Sequence, residues 1–137
     1  MSNECIFCRI VAGTVPAAKV YEDPDVVAFM DINPVAKGHT LVVPKAHSDP
    51  TTETPDAVLA KVIAVVRKVA RAHFQALKAE GVSVAQANGR AAGQEVPHLH
   101  FHVIPRVEGS GRQWTPGKYD SPAEMNQYAT RIRDVLC

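Results

Sequence analysis

The stretch His98-Leu99-His100-Phe101-His102-Val103-Ile104 decides how the rest of this sequence is read. Its polar and apolar residues alternate, the period of a β-strand whose side chains project to opposite faces. His98, His100 and His102 therefore share one face, and Leu99, Phe101 and Val103 share the other. At about 3.3 Å of rise per residue, neighbouring histidines stand roughly 6.6 Å apart and the outer pair roughly 13 Å. One metal ion with bonds of about 2 Å cannot take all three from a regular strand. Half of the chain's 6 histidines fall within this short stretch, and a half-buried strand with a polar outer face needs none of them. A neutral imidazole is a nucleophile towards phosphorus, and its ordinary pKa of about 6.5 keeps it mostly unprotonated at neutral pH. A neighbouring imidazole can supply or share a proton with a leaving group.

Working outward, Pro105 closes this strand, and the loop Asn88-Gly89-Arg90-Ala91-Ala92-Gly93-Gln94-Glu95 leads into it. Glycines in such a loop let backbone N–H groups approach an anion closely, so beside the histidines the loop is a candidate phosphate cradle. Val82 to Ala87 reads as a further strand. Earlier, Lys19 to Asp31 holds two short runs broken by the turn Asp23-Pro24-Asp25, and His39 to Val43 is a third run ended by Pro44.

Between these strands the period changes. Thr54 followed by Pro55 is a helix start. Val58, Leu59, Val62, Ile63, Val66, Val69, Ala70, Phe74 and Leu77 then recur at helical spacing, with Gly81 placed to stop the helix. Ser121-Pro122-Ala123-Glu124 is a capping box that opens a second helix, with Met125, Tyr128, Ala129, Ile132, Val135 and Leu136 on its apolar stripe. Strands joined by short turns around one long helix predict an α+β class: an antiparallel sheet covered on one face, with a C-terminal helix.

The chain is 137 residues long and 46% hydrophobic, with formal net charge +1. That length suits a single domain, residues 1–137, whose tail from about 107 to 137 includes the second helix. The near-neutral charge argues against nucleic acid as partner, because such binders carry a basic stripe. No segment has the roughly 20 apolar residues that a membrane span needs, and the first residues do not read as a signal peptide, so a cytoplasmic protein is expected. The cysteines are Cys5, Cys8 and Cys137. Their odd number speaks against a disulfide framework, and Cys137 reads as a dangling thiol. The Cys5-x-x-Cys8 pair leaves metal or redox chemistry open, although no βαβ pattern supports a thioredoxin-like site.

The heptapeptide 98–104 resembles the H-φ-H-φ-H-φ-φ signature of the histidine triad (HIT) family. Cys5 to Ile10, Asp31-Ile32-Asn33-Pro34, Gly38 to Lys45 and Asn88-Gly89 through Gly93-Gln94 resemble it in the same order, over roughly residues 4 to 106. The resemblance is nearest to the branch of histidine triad nucleotide-binding proteins and bacterial HIT hydrolases. It implies a HIT-like fold with a five-stranded antiparallel sheet, usually paired as a homodimer, and purine nucleotide (AMP-like) substrates. It also implies that His100 attacks the α-phosphorus and carries a nucleotidyl group covalently, with His102 hydrogen-bonding near the phosphate and leaving group. Asn88 and Gln94 would hold phosphate oxygens, Asp31 the ribose hydroxyls, and Phe7, Phe29 and Ile32 the base, with Ile6 and Ile10 beside them. Plain core packing competes at each apolar position.

The implied activity is adenosine 5'-phosphoramidate hydrolysis. Dinucleoside polyphosphate hydrolysis, a regulatory nucleotide binder with vestigial catalysis, and a metallohydrolase are the alternatives. One departure is Glu95, where family members active on phosphoramidates often carry a serine that can donate to phosphate. The gaps between Cys8, His47 and His98 are far longer than zinc-finger spacings, so spacing alone makes a weak case for metal. The resemblance implies that Cys5, Cys8, His47 and His98 bind a structural zinc, with two thiolates and two imidazoles in a closed site. His39 is expected to orient the histidine strand by hydrogen bonding, and His73 to be a structural histidine on the helix stripe.

Overall fold

The structure is a computed structural model that describes residues 5–136, so Cys137 lies outside the described residues. Five strands, β1 (Lys19–Glu22), β2 (Val26–Met30), β3 (Thr40–Pro44), β4 (Gly81–Ala85) and β5 (Phe101–Arg106), form one sheet in the order β1-β2-β3-β5-β4. Every neighbouring pair is antiparallel. The fold is α+β, as the sequence predicts. The β1–β2 turn is held by Asp23, whose Oδ1 accepts from the Asp25 and Val26 N–H groups at 2.8 Å. This is the local side-chain-to-backbone bonding that makes Asp a turn former.

Helix α2 (Asp56–Ala76) and helix α3 (Pro122–Val135) cover one face of the sheet. Val26, Ala28 and Met30 of β2, Val42 of β3 and Val103 of β5 meet Val62, Val65, Val66 and Val69 of α2 there, and Ala129 and Ile132 of α3 join them. The helical stripe is rotated from its sequence reading. Val65, Ala72 and His73 are buried, whereas Ile63 and Phe74 stay 48% and 49% exposed. A helix with apolar residues on two sides has a periodicity that does not fix which side faces in. Thr54 does not cap α2: its hydroxyl donates to the Pro50 carbonyl, and Pro55 is the residue ahead of the helix. Nor does Gly81 end it, because the helix stops at Ala76, Lys78 takes the positive φ of 56°, and Gly81 already begins β4. Ser121 caps α3 as read, its Oγ accepting from Glu124 N at 3.1 Å, but the return bond of the box goes one residue further out, from Asp120 N to Glu124 Oε1 at 2.8 Å.

The other face of the sheet is not bare. A short helix, α1 (Ile6–Ala12), packs on it and buries Phe7, Cys8 and Ile10 against Val27, Phe29, Leu41 and Val43. Its sequence gives no stripe long enough to read, and its start is marked only by Cys5, whose Sγ accepts from Cys8 N at 3.3 Å. The histidine strand also differs from its reading at both ends. Ladder pairing begins at Phe101, after Leu99 N–H has bonded to the Ser48 carbonyl at 2.8 Å, and it runs on through Pro105 to Arg106. Pro105 is tolerated because β3 pairs with β5 only over Phe101 to Val103, so at Pro105 the strand has a ladder partner on its β4 side alone.

Candidate functional site

The ladder between β3 and β5 sets Leu41 opposite His102 and Val42 opposite Phe101. Phe101 and Val103 go to the α2 side, as the alternation requires. His100 and His102 therefore face the other side, their ring centroids 5.0 Å apart. They open into a cleft of about 880 Å³ whose walls include Phe7, Phe29, Asp31 and Ile32.

Hydrogen bonds set the tautomers of these rings. A neutral imidazole carries one N–H and one lone pair. Val35 N–H donates to His39 Nδ1 at 3.0 Å, so the proton of the His39 ring sits on Nε2. That N–H donates to His102 Nδ1 at 2.9 Å, which leaves His102 with its proton on Nε2, towards the cleft. His100 is arranged the other way. Its Nδ1–H donates to the His98 carbonyl at 2.8 Å, leaving a lone pair on Nε2. A nucleophilic nitrogen and a hydrogen-bond donor thus lie side by side.

Burial keeps the relay neutral. Desolvation depresses the His39 pKa to about 3 and that of His102 to about 4, with neighbouring imidazoles adding to both shifts. Asp31 Oδ2 lies 3.6 Å from His39 Nε2, but against a neutral ring this is not an ion pair. Burial also raises the Asp31 pKa, opposed by the Asn33 N–H that donates to Oδ1 at 2.8 Å. Asp31, His39 and His102 lie close enough to suggest a metal site. The tautomers argue against it, since the His39 lone pair is taken by Val35 N–H and that of His102 by His39.

The second cluster fits a metal. Ligand atoms of Cys5, Cys8, His47 and His98 all lie within 4.8 Å of one another. Cys5 Sγ is 3.4 Å and Cys8 Sγ 3.6 Å from His98 Nδ1, and Cys8 Sγ is 3.2 Å from His47 Nδ1. Bonds of about 2.3 Å to sulfur and 2.0 Å to nitrogen around a tetrahedral zinc separate S and N by roughly 3.6 Å. His98 Nε2–H donates to the Pro44 carbonyl at 2.8 Å, which frees Nδ1 as the ligand atom. Such a backbone partner commonly orients a metal-bound imidazole. Burial of this ring lowers its pKa, favouring the neutral form a metal needs.

The remaining sequence-predicted residues divide. Ile32, 69% exposed, lines the cleft beside Asp31, and Ile6 and Ile10 line it too. Phe7 stands edge-on to His100 with centroids 5.1 Å apart, and to Phe29 at 5.4 Å. Asn88 and Gln94 are not among the lining residues. Asn88 Oδ1 accepts from Thr51 N and from Gln86 Nε2, and its Nδ2 donates to Gln86 Oε1. Gln94 Oε1 accepts from Gly89 N, and its Nε2 donates to Asp49 Oδ1 and the Val96 carbonyl. Both amides brace the loop around Gly89 and Gly93. His73 is fully buried, its Nε2 3.2 Å from Thr40 Oγ1, a structural role as read.

Comparison with known proteins is consistent with this geometry. The model of the HIT domain matches residues 12–109. The chain belongs to the HIT family. It is 40% identical over 135 residues to an adenosine 5'-monophosphoramidase of Schizosaccharomyces pombe, covering 96% of this chain and 98% of that protein. Among solved structures, a Hit-like protein involved in cell-cycle regulation from Bartonella henselae superposes with TM-score 0.91 at 42% identity, covering 99% of this chain and 98% of the other. A zinc-bound histidine triad family protein from Mycobacterium smegmatis superposes with TM-score 0.87 at 37% identity, covering 97% and 93%.

The HIT cleft has one wall that sequence reading missed. Trp114, 47% exposed, stands edge-on to His102 with centroids 5.1 Å apart and contacts His39 at 6.2 Å. It is brought there by the tail, which Arg106 holds through the carbonyls of Ser110 and Gln113 and which bonds Gly117 N to the Pro34 carbonyl. Nothing in the residues around Trp114 signals those contacts.

Burial pushes the pKa values of His39, His73 and His102 down to about 3, 4 and 4, below the ordinary imidazole value of about 6.5. Their unfolded forms take up protons first, so stability falls as pH drops below about 6.5. Each imidazole contributes at most about 1.4 kcal/mol per pH unit. Urea unfolding between pH 6.5 and 5, above the main carboxylate range, is expected to show this decline. Constant stability across that interval would contradict the neutral relay.

Proposed function

We propose that this protein is a nucleotidyl hydrolase acting at the α-phosphate of purine nucleotides through a covalent intermediate on His100, with an adenosine 5'-phosphoramidate as substrate. The opposed tautomers of His100 and His102 carry this reading. His100 presents a lone pair on Nε2 because its Nδ1 proton is held by the His98 carbonyl, and His102 presents a proton on Nε2 because His39 donates to its other nitrogen. The named activity of the yeast relative supports the substrate class.

In the first step His100 Nε2 attacks the α-phosphorus and the P–N bond to the amine breaks. The electron pair of that bond stays on the leaving nitrogen, which takes a proton from water and departs as an amine. His102 Nε2–H donates to a phosphoryl oxygen as charge develops there, and the shielded cleft makes that donor effective. Water then attacks the phosphorus. The P–Nε2 bond breaks, its pair returns to His100, the proton of water goes to solvent, and the nucleoside monophosphate leaves. Asp31 is placed in the cleft wall to accept ribose hydroxyls. Phe7, Phe29 and Ile32 line the same space with apolar surface suited to a purine. Asn88 and Gln94 serve by bracing the loop around Gly89 and Gly93, in which the N–H groups of Gly89, Ala92, Gly93 and Gln94 are bonded within the loop rather than free for phosphate.

The same proposal includes a structural zinc on Cys5, Cys8, His47 and His98, which ties α1 to the segment before β5. It also includes one domain over residues 1–137 and a homodimer. Dimerisation is supported by β4 at the sheet edge with Val84 48% exposed, and by Ile63 and Phe74 exposed on the outer side of α2. Among the described residues no helix is long and apolar enough to cross a membrane.

Separate measurements test the mechanism, the zinc and the dimer. Quenched incubation with adenosine 5'-phosphoramidate, followed by mass spectrometry, is expected to find an adenylyl adduct on His100. The variant H100A should lose at least about a thousandfold in kcat/KM, and H102F roughly a hundredfold or more through the lost donor. Turnover that survives His100→Ala sinks the mechanism. Elemental analysis of protein purified without added metal should find about one zinc per chain, and chelation should make Cys5 and Cys8 alkylatable and lower Tm. Metal-free protein with both thiols already reactive refutes that site. Sedimentation equilibrium should give a dimer mass that F74E or V84K reduces to a monomer, and a monomeric mass for the unaltered protein rules the dimer out.

A further inference from the structure

The catalytic cleft is acidic in a chain whose net charge is +1. Among the described residues its lining includes the carboxyls of Asp31 and Glu95 and no lysine or arginine. Arg90 and Arg112, on the surrounding loops, are not part of that lining. Two of its histidine walls, His39 and His102, add no positive charge, because burial keeps both neutral at physiological pH.

The two carboxyls are differently placed. Asp31 is half-buried and engaged by the Asn33 N–H. Glu95 is exposed, faces the cleft, and takes part in none of the salt bridges of the described residues. Its negative charge reaches far enough across the cleft to raise the Asp31 pKa further. A free carboxylate in a substrate cleft repels anions and attracts cations. A polyphosphate leaving group would bring further negative charges to two carboxylates with no cation to offset them. An amine leaving group brings none.

We infer that Glu95 selects the leaving group: the cleft takes a nucleoside monophosphate joined through nitrogen to an amine whose far end is itself cationic, an ammonium or guanidinium group that pairs with the Glu95 carboxylate. This rests on the nucleotidyl-His100 reading and narrows its substrate class. Trp114 lines the same cleft beside His102 and offers an aromatic face to the same cation. The carboxylate cannot donate a hydrogen bond to phosphate, so its usefulness lies at the distal end of the amine rather than at the reacting phosphorus.

Two AMP amidates of equal length make the test, one of 1,5-diaminopentane with a free terminal ammonium and one of n-hexylamine ending in methyl. The protein is expected to favour the ammonium substrate by about tenfold in kcat/KM at low salt, the scale of one partly desolvated charge pair. The ratio should shrink towards one in about 1 M NaCl, and E95Q should bring it near one at any salt. E95K should reverse it and raise the relative rate on diadenosine tetraphosphate. A ratio near one in the unaltered protein, or a tenfold ratio that survives E95Q, overturns the inference.

Calorimetric binding of both amidates to His100→Ala protein separates this from the underlying chemistry, because no bond is made there. A binding preference that E95Q abolishes, with no adduct ever found on His100 in the unaltered protein, would keep Glu95 as the selector and reject the covalent mechanism. Adducts formed equally well from both amidates would keep the mechanism and reject the role of Glu95.

Discussion

A neutral imidazole has one proton and one lone pair, and the site depends on how the backbone allots them. Val35 N–H and the His98 carbonyl are fixed groups of opposite polarity, the first taking a lone pair and the second a proton. From these two contacts the remaining choices follow: His39 must donate to His102, His102 must present N–H to the cleft, and His100 must present a lone pair. Protonating the relay would break the pattern, because His39 and His102 would then both aim protons at the 2.9 Å contact. Burial prevents this by holding both pKa values well below the usual imidazole range.

The sheet supplies the precision this arrangement needs. His39 ends the loop before β3, and its N–H bonds to the Ala36 carbonyl at 2.9 Å, while His102 sits inside β5 opposite Leu41. Gly38, just before His39, has φ +106°, and a Cβ there would lie 2.5 Å from Leu77 Cδ1 and 3.1 Å from Pro105 Cγ. Only glycine lets the chain turn this closely against the end of α2 and the far end of β5. The Gly38 N–H is met by Tyr119 Oη at 2.9 Å, so the tail also touches the turn that delivers His39. Burial raises the Tyr119 pKa to about 12, keeping that hydroxyl protonated.

What the sequence disclosed was chiefly local. Alternation over residues 98–104 gave the two faces of β5, Asp23-Pro24-Asp25 gave a turn, and Ser121 with Glu124 gave a cap, each a matter of neighbours within a few residues. The phase of α2 was not legible, because Ile63 and Phe74 are as apolar as Val65 and Ala72, and only packing on the sheet ranks them. Helix α1 escaped because seven residues hold too little periodicity, and its cap is a cysteine rather than a usual capping residue. Gln94 was legible as a loop residue but not as a brace, since its partners Asp49 and Gly89 lie in segments that only the fold brings together. Trp114 is the extreme case: its neighbour His39 lies 75 positions earlier in the numbering, across three strands and the long helix α2.

The three histidines that stand alike in the sequence differ because β5 is regular only from Phe101 onward. His98 lies in the irregular run-in, where its N–H bonds to the Val96 carbonyl and its ring turns away to the two cysteines. That ring is held at both nitrogens, by the Pro44 carbonyl on one side and the sulfurs on the other. The peptide that carries the carbonyl of the same residue is held too, by the Leu99 N–H that bonds to the Ser48 carbonyl at 2.8 Å, and it is this carbonyl that holds the Nδ1 proton of His100. The cysteine–histidine cluster and the proposed nucleophile are therefore coupled through a single residue.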